Sequence, residues 1–449
     1  MASDSAIVTE GRIERAGRHG LPFLLVVTCF AAWGVAANMT DPLVQVFSRI
    51  FSMSTLQASL VQFAYYGAYF CLALPAAFIT RRFSYKTGLL TGLGCAILGA
   101  VMFYPASLAM TYGTFLAALF LLAGGLSILE TSANPFVIAL GPEETATRRL
   151  NLAQAFNPVG TNIGVFLSAA LILPHLDPAT AEDRARMGQE ALMAVQSAEL
   201  QAVMLPYVGF AAVLALIWIV VALCPMPAAG ESPAARDHEL HAGLTFRRLA
   251  ANRHYVFGVA AQFFNVGAQT CVWTFTIPYV IAAVGGTEAE AGWVLQASLG
   301  IFLVSRFAMT WAMGRARPAK LLAAMALCGA GLCVVAVLLP GWTGIAAVVL
   351  CSAALSLMFP TIYGIALEGL GEDAKFGSAG LVMAILGGAL MPMAFGAVSD
   401  AAGPVAGFAV PGICFALVAG YGLFDLRAAR HRENSSRSGT ESSCPPRRR

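Results

Sequence analysis

The sequence predicts an all-α polytopic membrane protein whose twelve transmembrane helices form two bundles of six. Of its 449 residues, 58% are hydrophobic and 11% are charged, whereas soluble domains contain about 25% charged residues. The chain contains twelve apolar windows of about twenty residues, the length that a helix needs to cross a bilayer. A polar segment separates the first six windows from the last six.

The twelve windows divide evenly between the two halves. In the first half they lie at 21–48, 56–80, 87–105, 110–140, 150–173 and 203–225, and in the second half at 254–283, 289–314, 318–339, 343–368, 376–399 and 404–425. The Ser- and Arg-rich end of the chain has a composition typical of disorder. The predicted segments are a cytoplasmic N-terminal segment (1–20), an N-terminal bundle (21–225), a cytoplasmic linker (226–253), a C-terminal bundle (254–425) and a disordered cytoplasmic tail (426–449).

Basic residues predict the orientation of the helices, because Lys and Arg near helix ends stay on the cytoplasmic side. Both terminal segments and every even-numbered connection are basic, for example at 81–86, 148–149, 236–253 and 315–320. The turns near 105, 285, 341 and 403 carry no Lys or Arg. We therefore expect both termini to be cytoplasmic in a bacterial inner membrane. The polar stretch 174–200 is predicted to be an external loop, with a short surface helix as one option.

Several function classes are excluded by composition and motifs. The formal net charge of +3 reflects the basic loops, so no nucleic-acid partner is predicted. The ten cysteines form no C-x-x-C pair and no His lies at metal spacing, so neither disulfides nor a metal site is expected. The sequence contains no Ser/His/Asp set or phosphate loop of an enzyme, and its short tail argues against a non-transporting sugar receptor. Transport remains, and nothing in the sequence requires more than a monomer.

The two halves carry matching landmarks, as expected of a transporter built from two copies of one helical unit. The basic turn 81–86 matches 315–320, and residues 140–144 after the fourth window match 370–373 after the tenth. Because six spans separate each pair, corresponding helices point the same way, which predicts a parallel repeat. Chance recurrence of short basic turns is the alternative.

Two carboxyl groups in the first half, Asp41 and Glu130, are candidates for proton coupling. An ionisable group at bilayer depth costs about 2.5–3.5 kcal/mol even on insertion scales, so such groups usually mark a proton relay or a substrate site. None of the six histidines lies in the core of a predicted span, which leaves Asp and Glu as proton carriers. Burial favours a neutral carboxyl group, the condition for alternate proton loading and release. An ion pair of Glu130 with Arg306 is the structural alternative.

Uncharged polar and aromatic side chains recur at helical spacing inside the windows and outline a predicted cavity. Amides both donate to and accept from hydroxyl groups, and an aromatic face covers the C–H surface of a sugar ring. The set therefore predicts a neutral sugar as ligand. Its members are Asn38, Tyr65, Tyr69, Asn134, Gln154, Asn157, Gln262, Asn265, Gln269, Trp273 and Tyr363, and the acid Asp41 lies three residues after Asn38 on the same helix face. For each amide, an interhelical hydrogen bond worth about 0.6–2 kcal/mol is an equal alternative, and for the aromatic rings the alternative is packing.

At these residues the chain resembles the fucose/proton symporter family of the major facilitator superfamily. The resemblance rests on the segments 129–136, 140–143 and 150–157, with shorter motifs at 83–88, 267–270, 360–362 and 399–403. It runs the length of the chain. It implies the major facilitator fold and alternating-access symport of a neutral sugar, first of all L-fucose, with a proton.

The resemblance also implies roles for matched positions. Asp41 resembles the family's first-helix acid beside the sugar, and Glu130 resembles its fourth-helix acid, the proton-dependent switch. Gln154 and Asn157 match amides that face the central cavity. Phe359 stands where the family pattern leads us to expect Tyr, and loss of a hydroxyl can change which sugar is accepted.

Other members of the family leave alternatives open. Transport of glucose and galactose or of N-acetylglucosamine is the alternative function, and sodium is the alternative coupling ion. Apart from the coupling ion, no cofactor is expected. The expected partners are the sugar and the lipid bilayer.

Overall fold

The computed structural model describes residues 20–39, 55–109, 111–172, 174, 184, 186–227 and 242–441. Within them, side chains are described as far as residue 429, apart from 55–59, 62, 169, 201–203, 205 and 242. Every regular element in this part of the chain is a helix. Twelve helical segments are long and apolar enough to cross a membrane, which confirms the all-α fold with twelve spans.

The helices are numbered in chain order. They are α1 (Gly20–Met39), α2 (Thr55–Arg82), α3 (Tyr85–Ala109), α4 (Tyr112–Ala139), α5 (Glu143–Ile172), α6 (Gln189–Leu223), α7 (Ala242–Ala251), α8 (Arg253–Val284), α9 (Glu288–Ala312), α10 (Pro318–Leu338), α11 (Trp342–Leu367), α12 (Gly371–Ala402) and α13 (Ala409–Glu441). All but α7 correspond to predicted spans. The short helix α7 lies in the predicted linker.

Local sequence signals explain where the helices of the second half begin and end. Asn252 caps α8, because its side-chain oxygen accepts from the backbone N–H groups of His254 and Tyr255 at 3.0 and 3.2 Å. The same helix ends at Gly285, whose φ of 69° lies in the left-handed region that glycine adopts without strain. Thr287 and Glu290 then form a capping box that starts α9.

Contacts divide the chain into two compact units. The first comprises Met1–Ala250 with Leu367–Ala389, and the second comprises Ala251–Ala366 with Leu390–Arg449. The start of α12 therefore packs with the first unit although it follows α11 in sequence. The segment boundaries expected from the sequence stay a prediction.

In the first unit, small residues let helices approach closely. A Cβ placed on Gly92 of α3 would lie 2.5 Å from the backbone nitrogen of Leu129 on α4, and one on Gly160 of α5 would collide with the carbonyl oxygen of Ala31 on α1. Close backbone approach through glycine is the usual way in which helices associate in lipid. The pairs α3–α4 and α1–α5 are therefore tightly packed.

The start of α12 is held in the first unit by polar and aromatic contacts. The Ser378 hydroxyl donates to the carbonyl oxygen of Thr131 at 2.6 Å, and the Phe376 ring packs edge-on against Phe78 at 4.9 Å between centroids. Arg248 of α7 donates to both oxygens of Asp373 at 2.7 and 2.8 Å. That hydrogen bond and charge raise the pKa of Arg248 above its ordinary value.

The second unit has an aromatic core. The rings of Phe275 and Phe395 stack with centroids 3.8 Å apart, and Phe408 packs edge-on against both Phe395 and Tyr279. The buried Tyr279 hydroxyl donates to the carbonyl oxygen of Ala336 at 2.7 Å. Since each buried polar tip needs a partner, this bond completes the packing of α8 on α10.

The structure differs from the sequence-based expectation in two polar segments. α13 continues to Glu441, whereas disorder is expected from 426; Ala, Arg and Glu, which favour helix, dominate 427–433. Residues 442–449 lie outside the described part. In the expected external loop 174–200, the second half belongs to α6, which begins at Gln189. There a buried ion pair joins Arg184 to Glu199 at 2.5 Å, so these polar residues are part of packed structure.

Candidate functional site

Glu130 lies in the middle of α4, where every side chain from 122 to 137 is buried. Its own exposure is 1%, and neither carboxyl oxygen makes a hydrogen bond of full geometry to a described residue, although the Asn134 amide one turn later lies close enough to interact with it. A charged carboxylate in such a place is strongly disfavoured, whereas the neutral acid is tolerated. The position is therefore suited to a group that gains and loses a proton.

A cluster of aromatic side chains from α1 and α2 reaches this carboxyl group through Tyr69. Tyr69 lies close enough to Glu130 for the two groups to interact electrostatically. The indole N–H of Trp33 donates to the Tyr69 hydroxyl at 2.7 Å, and the Tyr65 and Tyr69 rings lie 5.4 Å apart between centroids. The Ser127 hydroxyl fixes the same region of α2 by donating to the Tyr69 carbonyl oxygen at 3.0 Å.

The predicted amides of α4 and α5 form one direct pair. The Gln154 amide donates to the side-chain oxygen of Asn134 at 2.7 Å, and both side chains are buried. The other end of Asn134, its amide nitrogen, has no partner in the described part of the chain. Half-buried Asn157 donates to the carbonyl oxygen of Phe30 on α1 at 3.4 Å. α5 thus carries two amides that contact α4 and α1.

Asn38 takes part in helix packing. Its amide donates to the carbonyl oxygen of Gly34 at 3.2 Å and to the Thr161 hydroxyl on α5 at 3.1 Å. This is an interhelical hydrogen bond, the alternative to sugar contact that the sequence leaves open for each amide. Asp41, the other predicted acid, lies outside the described residues, so its position beside the sugar stays a prediction.

In the second unit, Gln262 and Asn265 are fully buried on α8, three residues apart on one helix face. None of the nitrogen and oxygen atoms of their two amides has a hydrogen-bond partner among the described residues. Leaving a buried polar group unpaired costs about 1–3 kcal/mol. Two adjacent amides in this state indicate a place where a polar ligand or ordered water completes the hydrogen bonds.

The remaining candidates of the second unit are arranged differently. The Trp273 indole donates to the Ser352 hydroxyl at 3.0 Å, which in turn pairs with the Ser298 hydroxyl at 2.6 Å. Tyr363 is fully buried and stacks with Phe359 at 6.1 Å between centroids, whereas Gln269 is half-buried. Trp273 is thus held by a polar network.

Arg306 is a buried cation on α9 of the same unit. α11 is interrupted between Leu355 and Met358. The Arg306 guanidinium donates to the carbonyl oxygen of Ser356 at this break and lies 5.2 Å from the centre of the Phe302 ring. A helix break supplies a carbonyl group free of its helical partner, which explains why this cation is accommodated there. Its pairing with Glu130 stays a prediction.

Sequence patterns miss the hydroxyl groups that hold the candidate side chains. Ser127, Thr161 and Ser352 each bond a candidate residue, and Ser298 bonds Ser352. Serine and threonine within helices usually bond to their own backbone, so their spacing alone names no partner. Within the described part of the chain, no group of three or more His, Cys, Asp or Glu side chains is placed to hold a metal ion.

Comparisons with known proteins identify the family and the fold of the chain. The profile of the Major Facilitator Superfamily matches residues 23–385. The chain is 38% identical over 412 residues to the L-fucose-proton symporter of Escherichia coli (strain K12), covering 91% of this chain and 94% of that protein. It is 34% identical over 413 residues to the glucose/galactose transporter of Brucella abortus (strain 2308), covering 91% and 95% respectively. The crystal structure of FucP, a transporter of this superfamily in the outward conformation, matches with a TM-score of 0.85 and 37% identity, covering 91% of this chain and 99% of FucP.

Proposed function

Because the chain belongs to the Major Facilitator Superfamily, in its fucose/proton symporter family, we propose that it imports L-fucose together with a proton by alternating access. It is a multi-pass membrane transporter and not an enzyme. The observation that carries the proton assignment is the buried carboxyl group of Glu130, which has no hydrogen-bond partner in the described residues.

Protonation of Glu130 is the proposed coupling step. As a carboxylate it carries an uncompensated charge in an apolar helix, and the proton removes that cost. We propose that proton and sugar bind while the site is open to the outside, and that the neutral site then reorients. Inside, the proton leaves and the affinity for the sugar falls. Each ligand drives a step only through its different affinity for the two states.

The sugar contacts are proposed to be amides and aromatic rings of each unit. Gln262 and Asn265 have unused donors and acceptors within the described structure, which suits a ligand with several hydroxyl groups. Asn157 of the first unit and Trp273 of the second are proposed to contribute a further amide and an aromatic face. Asp41 is proposed to lie beside the sugar, by its match to the family's first-helix acid.

The remaining assignments are proposals of the same kind. The transporter is proposed to lie in a bacterial inner membrane as a monomer, with both termini in the cytoplasm. Basic residues in the even-numbered connections support this orientation. The proton is the proposed coupling ion, and no other cofactor is proposed.

The test is a measurement of external pH in lightly buffered, de-energised cells that contain the protein. L-Fucose, D-arabinose, L-galactose, D-glucose, D-galactose and N-acetylglucosamine are added in turn. We expect alkalinisation with L-fucose and its stereochemical relatives, because the proton enters with the sugar. Cells that contain the Glu130→Gln protein serve as the control and should give no response.

Other outcomes would replace parts of the proposal. Alkalinisation only with glucose and galactose, or only with N-acetylglucosamine, would retain proton symport and change the substrate. Entry of labelled L-fucose that depends on sodium, without a pH response, would overturn the proton assignment. Absence of sugar entry under every ion gradient would overturn transport of these sugars altogether.

A further inference from the structure

In the first unit, α1, α5 and α6 enclose a cleft of about 660 Å³. Ala31 and Val35 of α1, Ile163 and Leu167 of α5, and Gly209 and Val213 of α6 are among the residues that line it. Glu130 and the aromatic residues Trp33, Tyr65 and Tyr69 are not among the residues that line it. The cleft therefore needs an explanation of its own.

The chemistry of the lining excludes a polar ligand. Among the described residues that line the cleft, Thr28 alone has a polar side chain, and its hydroxyl donates to the carbonyl oxygen of Leu25 one turn earlier in α1, at 2.7 Å. One hydroxyl with only its acceptor side free cannot satisfy the several hydroxyl groups of a sugar. Apolar cavities of this kind do not retain water. The occupant must be apolar.

The shape of the cleft follows from glycines on the three helices. Gly160 and Gly164 bring α5 against Ala31 and Val35 of α1, which closes one side. On α6, a Cβ placed on Gly209 would meet no atom within 4 Å, so the missing side chain leaves the cleft open there. α5 also ends in a π-helical turn at Ser168–Ile172, which widens the helix where Leu171 lines the cleft.

The cleft opens sideways from the bundle. Ile163, Leu171 and Val213 on its rim are 46%, 45% and 52% exposed, and all three helices are membrane spans. The medium that reaches this opening is therefore the hydrocarbon interior of the bilayer, which consists of acyl chains. An acyl chain is flexible and apolar, and it matches a cleft whose described lining is apolar apart from Thr28.

We infer that the cleft is a binding site for one acyl chain of a membrane phospholipid, held between α1, α5 and α6. The bound chain fills space that would otherwise leave its lining without packing partners. This site is independent of sugar transport, because it uses none of the residues proposed to bind sugar or proton.

The test is native mass spectrometry of the full-length protein purified from bacterial membranes in a mild detergent. We expect a retained population with one phospholipid bound. Gly209→Trp places a large ring in the cleft and should remove that population. Val220→Trp is the matched control, since Val220 is exposed on the same helix but does not line the cleft, and it should retain the lipid.

A second variant guards against misfolding of the first. Val213→Trp enters the same cleft from its rim, and delipidated protein is then titrated with palmitoyl-oleoyl phosphatidylethanolamine while its thermal transition is recorded. The lipid should raise the transition temperature of the wild type and of Val220→Trp but not of the filled variants. Equal lipid retention in all variants would overturn the inference. A dimer whose interface covers the cleft would also overturn it, because a second copy of the chain would then be the occupant.

Discussion

Glu130 and the Gln154–Asn134 pair are buried in neighbouring positions but affect the stability of the fold differently. The pair satisfies its own hydrogen bond at 2.7 Å, so it contributes to the packing of α4 on α5. Glu130 has no such partner in the described residues, and its burial costs free energy unless a proton neutralises it. A residue that costs stability in one protonation state is suited to coupling proton movement to a conformational change.

The Glu130→Gln substitution tests this role directly. Because glutamine mimics the neutral acid, we expect counterflow of labelled L-fucose between equilibrated compartments to continue, while accumulation driven by a pH gradient is lost. Wild-type counterflow should slow as the pH rises and Glu130 loses its proton, whereas counterflow by the variant should not change with pH. Glu144→Gln, an exposed acid just beyond α4, is the control and should accumulate sugar normally. Undiminished accumulation by Glu130→Gln would contradict the assigned role.

A matched pair of substitutions separates a ligand-binding amide from a packing amide. Gln262 has no partner in the described structure, so Gln262→Leu should leave stability unchanged or raise it while reducing sugar uptake. Gln154→Leu leaves the Asn134 oxygen unpaired and should lower the free energy of unfolding by about 1–3 kcal/mol. Thermal unfolding in detergent and uptake in vesicles measure the two effects. Equal destabilisation by both substitutions would show that Gln262 is a packing residue.

At this scale the sequence predicts which residues are polar within apolar helices, but not what they contact. Glu130 stands out because a carboxyl group is rare at that depth. Asn38 and Gln262 look alike in sequence, yet one bonds Thr161 and the other has no partner among the described residues. That difference depends on the neighbouring helix, which no single-helix pattern specifies.

At the level of helices, α1 and α5 pack closely because glycines at their contact have no side chains. Gly34 faces the backbone of Asn157, and Gly160 faces the backbone of Ala31. These glycines bring the backbones together and set the distance at which Asn38 reaches Thr161 and Asn157 reaches Phe30. The same approach forms one wall of the apolar cleft. The placement of Asn157 therefore depends on helix packing as well as on its own rotamer.

We expect Gly160→Ala to destabilise the first unit. The added methyl group would overlap the carbonyl oxygen of Ala31, and overpacking of this kind costs about 1–3 kcal/mol. Gly94→Ala on α3 is the matched control, because its methyl group would meet only the Trp218 ring nitrogen at 3.8 Å. The control should be neutral or up to about 1 kcal/mol more stable through helix propensity. Thermal unfolding of the two purified proteins provides the comparison, and a stable Gly160→Ala protein would contradict the close packing.

Hydropathy predicts the existence of the spans because lipid imposes one requirement on all of them, about twenty apolar residues. It does not predict their polar extensions. α6 begins at Gln189, in a charged stretch whose low hydropathy predicts a loop. The Arg184–Glu199 ion pair neutralises two of these charges and allows the residues to be buried. α13 continues to Glu441 through residues with high helix propensity but low hydropathy. Apolar composition and helical structure coincide inside the membrane and diverge outside it.

For the molecule as a whole, cations at helix ends support one orientation in the membrane. Lys86 donates to the carbonyl oxygens of Ala222 and Cys224 at the end of α6, at 2.8 and 2.9 Å. Arg149 donates to those of Val137 and Ile138 at the end of α4, at 2.8 and 2.6 Å. Cations stabilise the negative C-terminal end of a helix, and basic residues are retained in the cytoplasm. The first effect stabilises these two helix ends, and the second predicts that they lie on the cytoplasmic side.

Two introduced cysteines test this orientation. Gly188, before α6, and Gly243, in α7, are both exposed with open space around the position of a Cβ. In a Cys444→Ser background, we expect a membrane-impermeant maleimide to label Gly188→Cys in intact cells. Gly243→Cys should be labelled only after the membrane is permeabilised.

The labelling is read against the parent protein, whose other cysteines lie within or beside membrane spans. L-Fucose uptake by both variants confirms that the labelled molecules are folded and inserted. Labelling of Gly243→Cys in intact cells, with Gly188→Cys protected, would reverse the orientation. Sugar and proton would then have to load from the opposite side, so the direction of import depends on this result.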